Sequence, residues 1–331
     1  MRISPSYKIR IKENVSLSEY SNYKIGGRAK YFFEAKSVKD LKEAILWAKA
    51  NKQKVFVLGG GTNLLFSDKG YNGLVLKVSI NHLTSKGLCV RAGAGVQIED
   101  LLKFSVKKKL SGLEWAGGLP GTLGGAIRGN AGAFKGEIKD NIESVESFNV
   151  KTLKVTVCKN KACQFSYRAS FFKKKDGDYI ITGAVIKLKR GNPKDIQASV
   201  QDKIDFRKSR HPLEYPNSGS VFKNIPLSQM VKENTLEYRE SARQSSFSLR
   251  GITVPVKNDP FPVIPTAFLI SAVGLKGTQV GGAMISTKHP NFIVNVKYAK
   301  AKDVLALIKL VKSTLERKFG ITVEEEVQIV K

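Results

Sequence analysis

The sequence predicts a mixed fold of helices and strands in two or three domains, on three observations. The chain has 331 residues with 42% hydrophobic and 25% charged side chains, enough to bury more than one core. Its N-terminal part alternates strand-like and helix-like segments, whereas strand-like runs dominate from about Ile142. Between them, Gly112–Gly136 holds nine of the chain's 29 glycines. A stretch this rich in glycine is typical of tight turns and of backbone that closely approaches a ligand.

The N-terminal part is predicted to contain a strand–helix–strand unit. Ser37 is placed to cap a helix whose apolar residues follow at helical spacing. Ahead of this helix, Tyr20–Phe33 is interpreted as a turn at Gly26–Gly27 followed by a short strand. Val55–Leu58 and Gly73–Val78 are apolar runs typical of buried strands, so the unit resembles a βαβ module. A strand at Leu88–Ala92 and a helix near 98–108 then lead into the glycine-rich stretch.

The C-terminal part is predicted to be a strand-rich region followed by a compact unit. Strand-like runs occur at 145–150, 154–158 and 179–188, and Gly191–Pro193 marks a boundary. Beyond it the predicted elements are, in order, a helix ending near Arg210, a helix near 267–273, a strand at 291–296, a helix at 301–319 and a strand at 323–330.

The formal net charge of +28 has two interpretations. One is nucleic-acid binding, and the other is a lysine-rich solvated surface that also favours anionic small ligands. The densest basic runs, Lys107–Lys109 and Lys173–Lys175, are short and carry no interleaved aromatic side chains. We therefore expect no specific nucleic-acid partner.

Neither the cysteines nor the histidines predict a metal centre or a disulfide framework. The three cysteines, Cys89, Cys158 and Cys163, do not form a disulfide framework. The three histidines, His82, His211 and His289, stand far apart and have no metal-ligand spacing. No apolar run approaches the ~20 residues of a membrane span, and the N-terminus lacks the apolar core of a secretory signal. We expect a cytoplasmic protein with no membrane span and no metal.

A second glycine cluster, Gly59–Gly61, follows directly on the predicted strand at Val55–Leu58. It lacks the G-x-G-x-x-G spacing of a Rossmann fold, and no Gly-Lys-Ser/Thr ending marks a Walker loop. The remaining interpretation is that consecutive backbone N–H groups form a concave anion site, to which the Thr62 hydroxyl and the Asn63 amide add donors. Together with Gly112–Gly136, such a segment is suited to enclose an extended diphosphate cofactor, so we interpret the two clusters as one site.

The chain resembles a known family, the UDP-N-acetylenolpyruvoylglucosamine reductases, from about Tyr20 to Val330. Five features occur in that family's order: the glycine clusters, SYRASFFK, PNSGSVFKN, GLKGTQVGGAMISTKHPNFIVN and EEEVQIV. The resemblance implies an α+β fold with a two-subdomain FAD-binding module of the vanillyl-alcohol-oxidase (PCMH) type and a C-terminal α+β substrate-binding domain. Its expected bounds are 1–84 and 85–192 for the two FAD-binding subdomains and 193–331 for the substrate-binding domain.

The resemblance also implies an activity and its small-molecule partners. The expected reaction is the NADPH-dependent reduction of UDP-N-acetylglucosamine enolpyruvate to UDP-N-acetylmuramate, for peptidoglycan precursor synthesis. FAD would be the cofactor, bound non-covalently, with NADPH as co-substrate. We expect a monomer.

Site residues follow from the matching motifs. Arg168 and Glu326 would stabilise the enol intermediate, and Ser220 would give a proton to the substrate carbon. Four residues would bind the substrate: Tyr167, Arg210, Lys223 and Asn224. The residues expected to hold the cofactor are Val57, Gly59, Gly60, Gly61, Thr62, Asn63, Leu64, Gly118, Pro120, Gly121, Thr122, Gly124, Gly125, Asn130, Ala131 and Gly132.

Alternatives stay open on the residues alone. Arg168 also suits a surface ion pair, Ser220 an ordinary turn, and Glu326 a solvated strand edge. A flavin oxidase is a second enzymatic hypothesis, although many such oxidases attach FAD through a histidine or cysteine where this chain has Thr62–Asn63. A third hypothesis is a catalytically silent nucleotide-binding or nucleic-acid-associated protein.

Overall fold

The computed structural model describes residues 9–232 and 246–331, which divide into two compact units. The first unit comprises residues 9–20, 27–61 and 69–207, and the second comprises 21–26, 62–68 and the described residues from 208 to 331. Each unit is therefore assembled from separate segments of the chain. The predicted three-domain division, with bounds at 84/85 and 192/193, stays a prediction beside this two-unit description.

The helices and strands are numbered here in chain order over the described residues. The helices α1–α8 are Val38–Ala50, Ile98–Lys107, Leu123–Gly129, Phe171–Lys174, Pro193–Arg210, Leu227–Lys232, Thr266–Ala272 and Ala301–Phe319. The strands β1–β23 are Lys12–Ser16, Arg28–Ala35, Val55–Leu58, Leu64–Phe66, Tyr71–Val78, Leu83–Lys86, Cys89–Gly93, Leu110–Ser111, Gly132–Ala133, Gly136–Glu137, Ile142–Asn149, Lys154–Lys159, Tyr179–Lys187, Lys189–Arg190, Ile225–Pro226, Ser246–Leu249, Ile252–Pro255, Lys257–Asn258, Pro262–Ile264, Gln279–Val280, Ala283–Ile285, Ile293–Asn295 and Gln328–Val330. Short 3₁₀ turns occur at Leu17–Tyr20, Glu114–Ala116, Ile138–Asp140 and Asn160–Cys163.

The first unit contains two main sheets. One has the order β1-β2-β5-β3, with β5 parallel to both β2 and β3, and it includes the predicted strand–helix–strand unit. The other has the order β12-β11-β13-β7-β6 and is antiparallel throughout. Helix α1 begins where Ser37 Oγ accepts a hydrogen bond from Asp40 N at 3.1 Å, and its Leu41 and Ile45 are buried in the unit's core.

The second unit is built around helix α8 and the sheet β20-β21-β22. Buried residues of α8, including Leu307 and Phe319, share a core with Tyr23 and Leu65 from the N-terminal half of the chain. Strand β23 pairs in parallel with β4, in the register Gln328 to Leu64. The unit therefore depends on residues from both halves of the sequence.

The structure corrects the extent of two predicted strands. The run at 323–330 forms a strand only at β23, because residues 324–327 hydrogen-bond irregularly to residues 221–223. There the carbonyl of Val221 accepts from both Glu326 N (2.7 Å) and Val327 N (3.3 Å), which interrupts a regular ladder. The run at 291–296 forms a strand only at β22, since Asn291 instead hydrogen-bonds to the backbone of Val221 and Phe222.

None of the helices in the described ranges is both long enough and apolar enough to span a bilayer.

Candidate functional site

The two glycine clusters meet within the first unit. Strand β3 ends at Leu58, and an added Cβ at Gly59 would lie 2.8 Å from Thr122 Oγ1. At Gly60 it would lie 2.9 Å from the Cα of Gly121. Only glycine allows two backbones to come this close, so the clusters form one continuous surface, as the interpretation from sequence required.

The second glycine segment is held by the start of helix α3. Buried Thr122 accepts a hydrogen bond from Gly125 N at 3.4 Å and so caps the helix. Gly121 has φ 105°, a conformation that favours glycine. Gly118, Pro120 and Gly125 are exposed, which leaves this stretch of backbone open to a ligand.

Helix α5 supports the same glycine segment through a residue that the sequence analysis missed. Arg207 Nε donates to the carbonyl of Gly117 at 2.8 Å, and its guanidinium lies 5.2 Å from the ring centroid of Phe134. Burial lowers the pKa of Arg207. The signal in the sequence is the helical spacing of Val200, Ile204 and Arg207. It places Arg207 on the side of α5 that packs against Gly117 and Gly118.

The three residues after the first glycine cluster belong to the second unit, where they contact the C-terminal segment. Asn63 Nδ2 donates to the carbonyl of Glu326 at 3.0 Å, and Asn63 O accepts from Gln328 N at 3.0 Å. Leu64 O accepts from Ser218 Oγ at 3.1 Å, while Thr62 is half-buried. These residues, which the resemblance assigns to the cofactor, therefore also hold the strand that follows Glu326.

Arg168 lies in the first unit on a tight turn that begins at Ser166 and ends at Ala169. The two ends exchange backbone hydrogen bonds of 3.0 and 3.1 Å, and Arg168 itself has φ 53°, in the left-handed region. This conformation is costly for a residue with a Cβ and persists only where its surroundings enforce it. Arg168 Nη2 donates to Gly132 O at 3.0 Å, and the guanidinium lies 4.9 Å from the Tyr167 ring centroid. Arg168 and Tyr167 thus lie beside the predicted cofactor residues 130–132.

Ser220 and Glu326 lie in the second unit on segments that pair with each other. Glu326 N donates to Val221 O, one residue beyond Ser220, at 2.7 Å. Gly219 precedes Ser220 with φ 78°, and its N–H is bound by Asn217 Oδ1 at 3.0 Å. The side chains of Ser220 and Glu326 are both half-buried. These backbone hydrogen bonds join the segment that carries Ser220 to the segment that carries Glu326.

Asn291 fixes the Ser220 segment, and the sequence analysis did not single it out. This buried asparagine accepts from Val221 N at its backbone oxygen (2.7 Å) and exchanges side-chain hydrogen bonds of 3.0 and 2.8 Å with the backbone of Phe222. The available signal is one polar residue directly before the apolar run Phe292–Val294. An amide there satisfies both polar groups of a non-helical, buried backbone.

The remaining predicted substrate residues also lie in the second unit. Lys223 Nζ forms an ion pair with Glu324 at 2.6 Å, and Asn224 Oδ1 accepts from Thr266 N at 3.3 Å. Arg210 is exposed at the last residue of α5. Lys223 and Asn224 are close to Ser220 along the chain, whereas Arg210 lies on a different element.

Comparisons with known proteins agree over almost the whole chain. Residues 29–155 match the family model for an FAD binding domain, and residues 211–330 match the model for the C-terminal domain of UDP-N-acetylenolpyruvoylglucosamine reductase. Together with the observed mixture of helices and strands, these matches confirm the predicted α+β fold with an FAD-binding module and a further C-terminal domain.

Curated relatives and a solved structure carry the same name. A UDP-N-acetylenolpyruvoylglucosamine reductase of Lachnoclostridium phytofermentans is 34% identical over 97% of this chain and 93% of the relative. One of Caldicellulosiruptor bescii is 35% identical over 95% of this chain and 88% of the relative. A crystal structure of the enzyme of that name from Thermus caldophilus, 28% identical, superposes with a TM-score of 0.72 over 97% of this chain and 99% of that one.

Proposed function

This chain belongs to the UDP-N-acetylenolpyruvoylglucosamine reductase family, and we propose that its own residues carry out that family's reaction as follows. The reaction is the NADPH-dependent reduction of UDP-N-acetylglucosamine enolpyruvate to UDP-N-acetylmuramate, with FAD as the cofactor. Membership of this family decides against both the flavin-oxidase alternative and the catalytically silent one.

The residues of the first unit fit FAD. The backbones at Gly60 and Gly121 approach more closely than side chains would allow, and Gly118 and Gly125 are exposed. Backbone N–H groups of glycine-rich turns bind diphosphate oxygens. Bound FAD would supply the two electrons that reduce the enolpyruvyl double bond, after its own reduction by NADPH. The glycine segments would hold the diphosphate, and Ala131 and Gly132 would lie beside it, whereas the side chain of Asn130 is fully buried and would support them from within.

Arg168 would stabilise negative charge. Reduction at C3 of the enolpyruvyl ether leaves an enolate conjugated with the carboxylate, and a fixed guanidinium lowers the energy of that charge most when it needs no rearrangement. The left-handed turn, the Gly132 carbonyl and the Tyr167 ring hold Arg168 in one orientation. The resemblance of the EEEVQIV motif assigns Glu326 a role in stabilising the enol intermediate as well.

Ser220 would protonate C2 of the substrate. A serine hydroxyl is a weak acid, so its role requires a fixed position and a stabilised alkoxide. The observation that supports this assignment best is the pairing of residues 221–223 with 324–327, which ties the Ser220 segment to the Glu326 segment. Lys223 and Asn224 on the same segment would bind the substrate beside it.

The test measures the rates of the two half-reactions separately in wild type and in Ser220→Ala, by anaerobic stopped-flow at the flavin absorbance. NADPH reduces the flavin without protonating the substrate carbon, so this step should stay within about twofold of wild type. Reoxidation by UDP-N-acetylglucosamine enolpyruvate should slow by about 10²–10⁴-fold, the usual contribution of a general acid. Ser228→Ala, at an exposed serine of α6, is the matched control and should change neither step.

Equal slowing of both half-reactions in Ser220→Ala would show that the residue serves only the local turn, and Glu326 would then be the next candidate for the acid.

We also propose that the protein acts as a monomer in the cytoplasm. The location is supported by the solubility of both its sugar-nucleotide substrate and NADPH. Light scattering on the purified protein measures the mass directly; a value twice the 36.4 kDa of the chain would contradict the monomer.

A further inference from the structure

Glu137 is a buried carboxylate in the first unit that the reaction described above does not use. Its side chain is 5% exposed, and it lies at the end of the hairpin formed by β9 and β10. Gly132, its partner in that hairpin, has no room for a Cβ, which would lie 2.7 Å from Glu137 Cγ. Lys139 Nζ pairs with Oε2 of the carboxylate at 2.5 Å. A buried charge is retained only where it is paired and hydrogen-bonded, so the other carboxylate oxygen is the informative one.

That second oxygen holds the side chain of Asn130. Asn130 is fully buried, and its Nδ2 donates to Glu137 Oε1 at 2.9 Å and to Ser166 O at 3.0 Å. Its Oδ1 accepts from Lys139 N at 3.3 Å. Both hydrogens of the amide are thus directed at acceptors. A rotated amide would place its oxygen against the Glu137 carboxylate and the Ser166 carbonyl, so the carboxylate fixes which way Asn130 faces.

Ser166 is the first residue of the turn that presents Arg168. Its carbonyl accepts from Asn130 and also from Ala169 N, which closes the turn at 3.1 Å. Arg168 within that turn has the left-handed φ of 53° and reaches back to Gly132 O at 3.0 Å. Gly132 is the hairpin partner of Glu137. Glu137 is therefore linked to the two ends of the Arg168 assembly, to the turn through Asn130 and to the guanidinium through Gly132.

We propose that Glu137 is a positioning residue for reduction of the enolpyruvyl substrate, acting through Asn130 on the turn that orients Arg168. The inference rests on the proposed function, because it takes from it the role of Arg168. The left-handed conformation of Arg168 is strained, and such strain persists only when neighbouring contacts enforce it. Without the carboxylate, Asn130 loses one partner and its orientation, the turn relaxes, and the guanidinium no longer occupies one position during the substrate half-reaction.

The first measurement compares Glu137→Ala, Glu137→Gln and the control Glu34→Gln in both half-reactions. Misplacement of a charged group by about 1 Å costs up to ~10²-fold, so Glu137→Ala should slow flavin reoxidation by the enolpyruvyl substrate by about 10–100-fold. Reduction by NADPH should stay within about threefold. Glu137→Gln keeps an oxygen for Asn130 and should recover most of the loss. Glu34 pairs with Lys77 and Ser79 at the four-stranded sheet, and its substitution should leave both rates unchanged.

A second readout does not depend on turnover. Amide hydrogen exchange at Ala169, whose N–H closes the turn, should be about tenfold faster in Glu137→Ala and near wild type in Glu137→Gln. Unchanged exchange at Ala169 would overturn the inference. If Glu137→Ala does not fold, Glu137→Asp takes its place, because it retains a charge but moves it away from Asn130. It should cause smaller changes in the same direction in the reoxidation rate and in the exchange rate at Ala169.

The decisive comparison is a double-mutant cycle with Arg168→Lys. If Glu137 acts through Arg168, Glu137→Ala should add less than about threefold to the slowing already caused by Arg168→Lys. Fully additive effects, or equal slowing of both half-reactions by Glu137→Ala, would refute the positioning role. If Arg168→Lys alone leaves reoxidation at the wild-type rate, it is the proposed role of Arg168 that fails. If Arg168→Lys slows reoxidation and Glu137→Ala does not, only the present inference fails.

Discussion

Gly60, which is predicted to hold the cofactor, and Gly129, which is not, differ in the room they leave for a side chain. A Cβ at Gly60 would meet backbone atoms of Gly121 and Thr122 at 2.9 and 3.2 Å, whereas a Cβ at Gly129, the last residue of α3, meets nothing within 4 Å. Backbone cannot give way as a flexible side chain can. The chemistry of the change from glycine to alanine is identical at both positions, so the pair isolates the effect of close approach.

We expect Gly60→Ala to lower the free energy of unfolding by about 1–3 kcal/mol through overpacking and to reduce the FAD bound per protein. Gly129→Ala should be neutral or stabilising by up to about 1 kcal/mol, because alanine is the better helix former. The measurements are the unfolding midpoint and the flavin released into solution by acid, which also tests non-covalent attachment. Retention of full FAD by Gly60→Ala, or flavin that precipitates with the wild-type protein, would contradict these expectations.

At the residue scale, the sequence could predict those side chains whose motif carries the chemistry. Arg168, Ser220 and Glu326 were identified in this way, and their roles stay predictions. Asn291 and Glu137 could not be identified, because their importance lies in contacts made after folding. Asn291 binds backbone 69 positions away, and its one signal in the sequence, a polar residue directly before an apolar run, does not reveal that partner.

The loop from Ser286 to Phe292 is the element that carries Asn291. Ser286 Oγ accepts from Lys288 N and His289 N, and Phe292 N donates to His289 O, so the loop is tightly folded. The His289 ring packs at 4.8 Å from that of Phe292 and 5.4 Å from that of His211. Burial lowers the pKa of His289 to about 4, with Lys257 adding to the shift. The loop therefore holds a neutral histidine.

A histidine buried in its neutral form couples the stability of this loop to pH. The unfolded chain binds the proton near pH 6.5 and the folded chain only near 4, so stability is complete above about pH 6.5 and is lost as the pH falls towards 4. We expect a loss of up to about 2 kcal/mol at pH 5. His289→Gln should remove this part of the pH dependence of the unfolding midpoint, while His211→Gln, at the neighbouring ring, should retain it. The same drop in His289→Gln as in wild type would contradict the assignment.

At the element scale, periodic apolar patterns predicted the long helices well. Helix α8 begins and ends where its pattern indicated, at Ala301 and Phe319. The run from Val323 looked equally strand-like, yet only its last three residues form β23. Apolar alternation shows that a segment is half-buried but does not show its partner, and here the partner of residues 324–327 is an irregular segment at 221–223.

For the whole molecule, we propose that the net charge of +28 serves to attract anionic ligands. The diphosphates of the sugar nucleotide and of NADPH are attracted by a positive field, which raises association rates and weakens with salt. We expect kcat/KM for the enolpyruvyl substrate to fall by roughly 3–10-fold between low and physiological salt, with kcat unchanged. Steady-state kinetics over a salt series measures this. A value of kcat/KM that does not depend on salt would remove electrostatic attraction as the reason for the charge.

The same charge makes a prediction about nucleic acid. Binding to duplex DNA should be weak, independent of sequence and largely lost at physiological salt, since it would depend on counterion release alone. Fluorescence anisotropy with two unrelated duplexes at two salt concentrations provides the measurement. Tight binding of one duplex in preference to the other at physiological salt would restore a nucleic-acid role.

The contacts within the second unit determine how late in synthesis that unit can fold. Its early segments have their partners late in the chain: Tyr23 O is bound by Asn295, and Asn63 Nδ2 binds the carbonyl of Glu326, 263 residues away. At ~5–20 residues per second, a nascent chain needs roughly 15–50 s to synthesise that interval. The segments at 21–26 and 62–68 must therefore wait until residues 295 and 326 have been synthesised. A chain released before residue 324 would contain Ser220 but not the segment that pairs with residues 221–223, so the position that the proposed proton transfer requires would not be fixed.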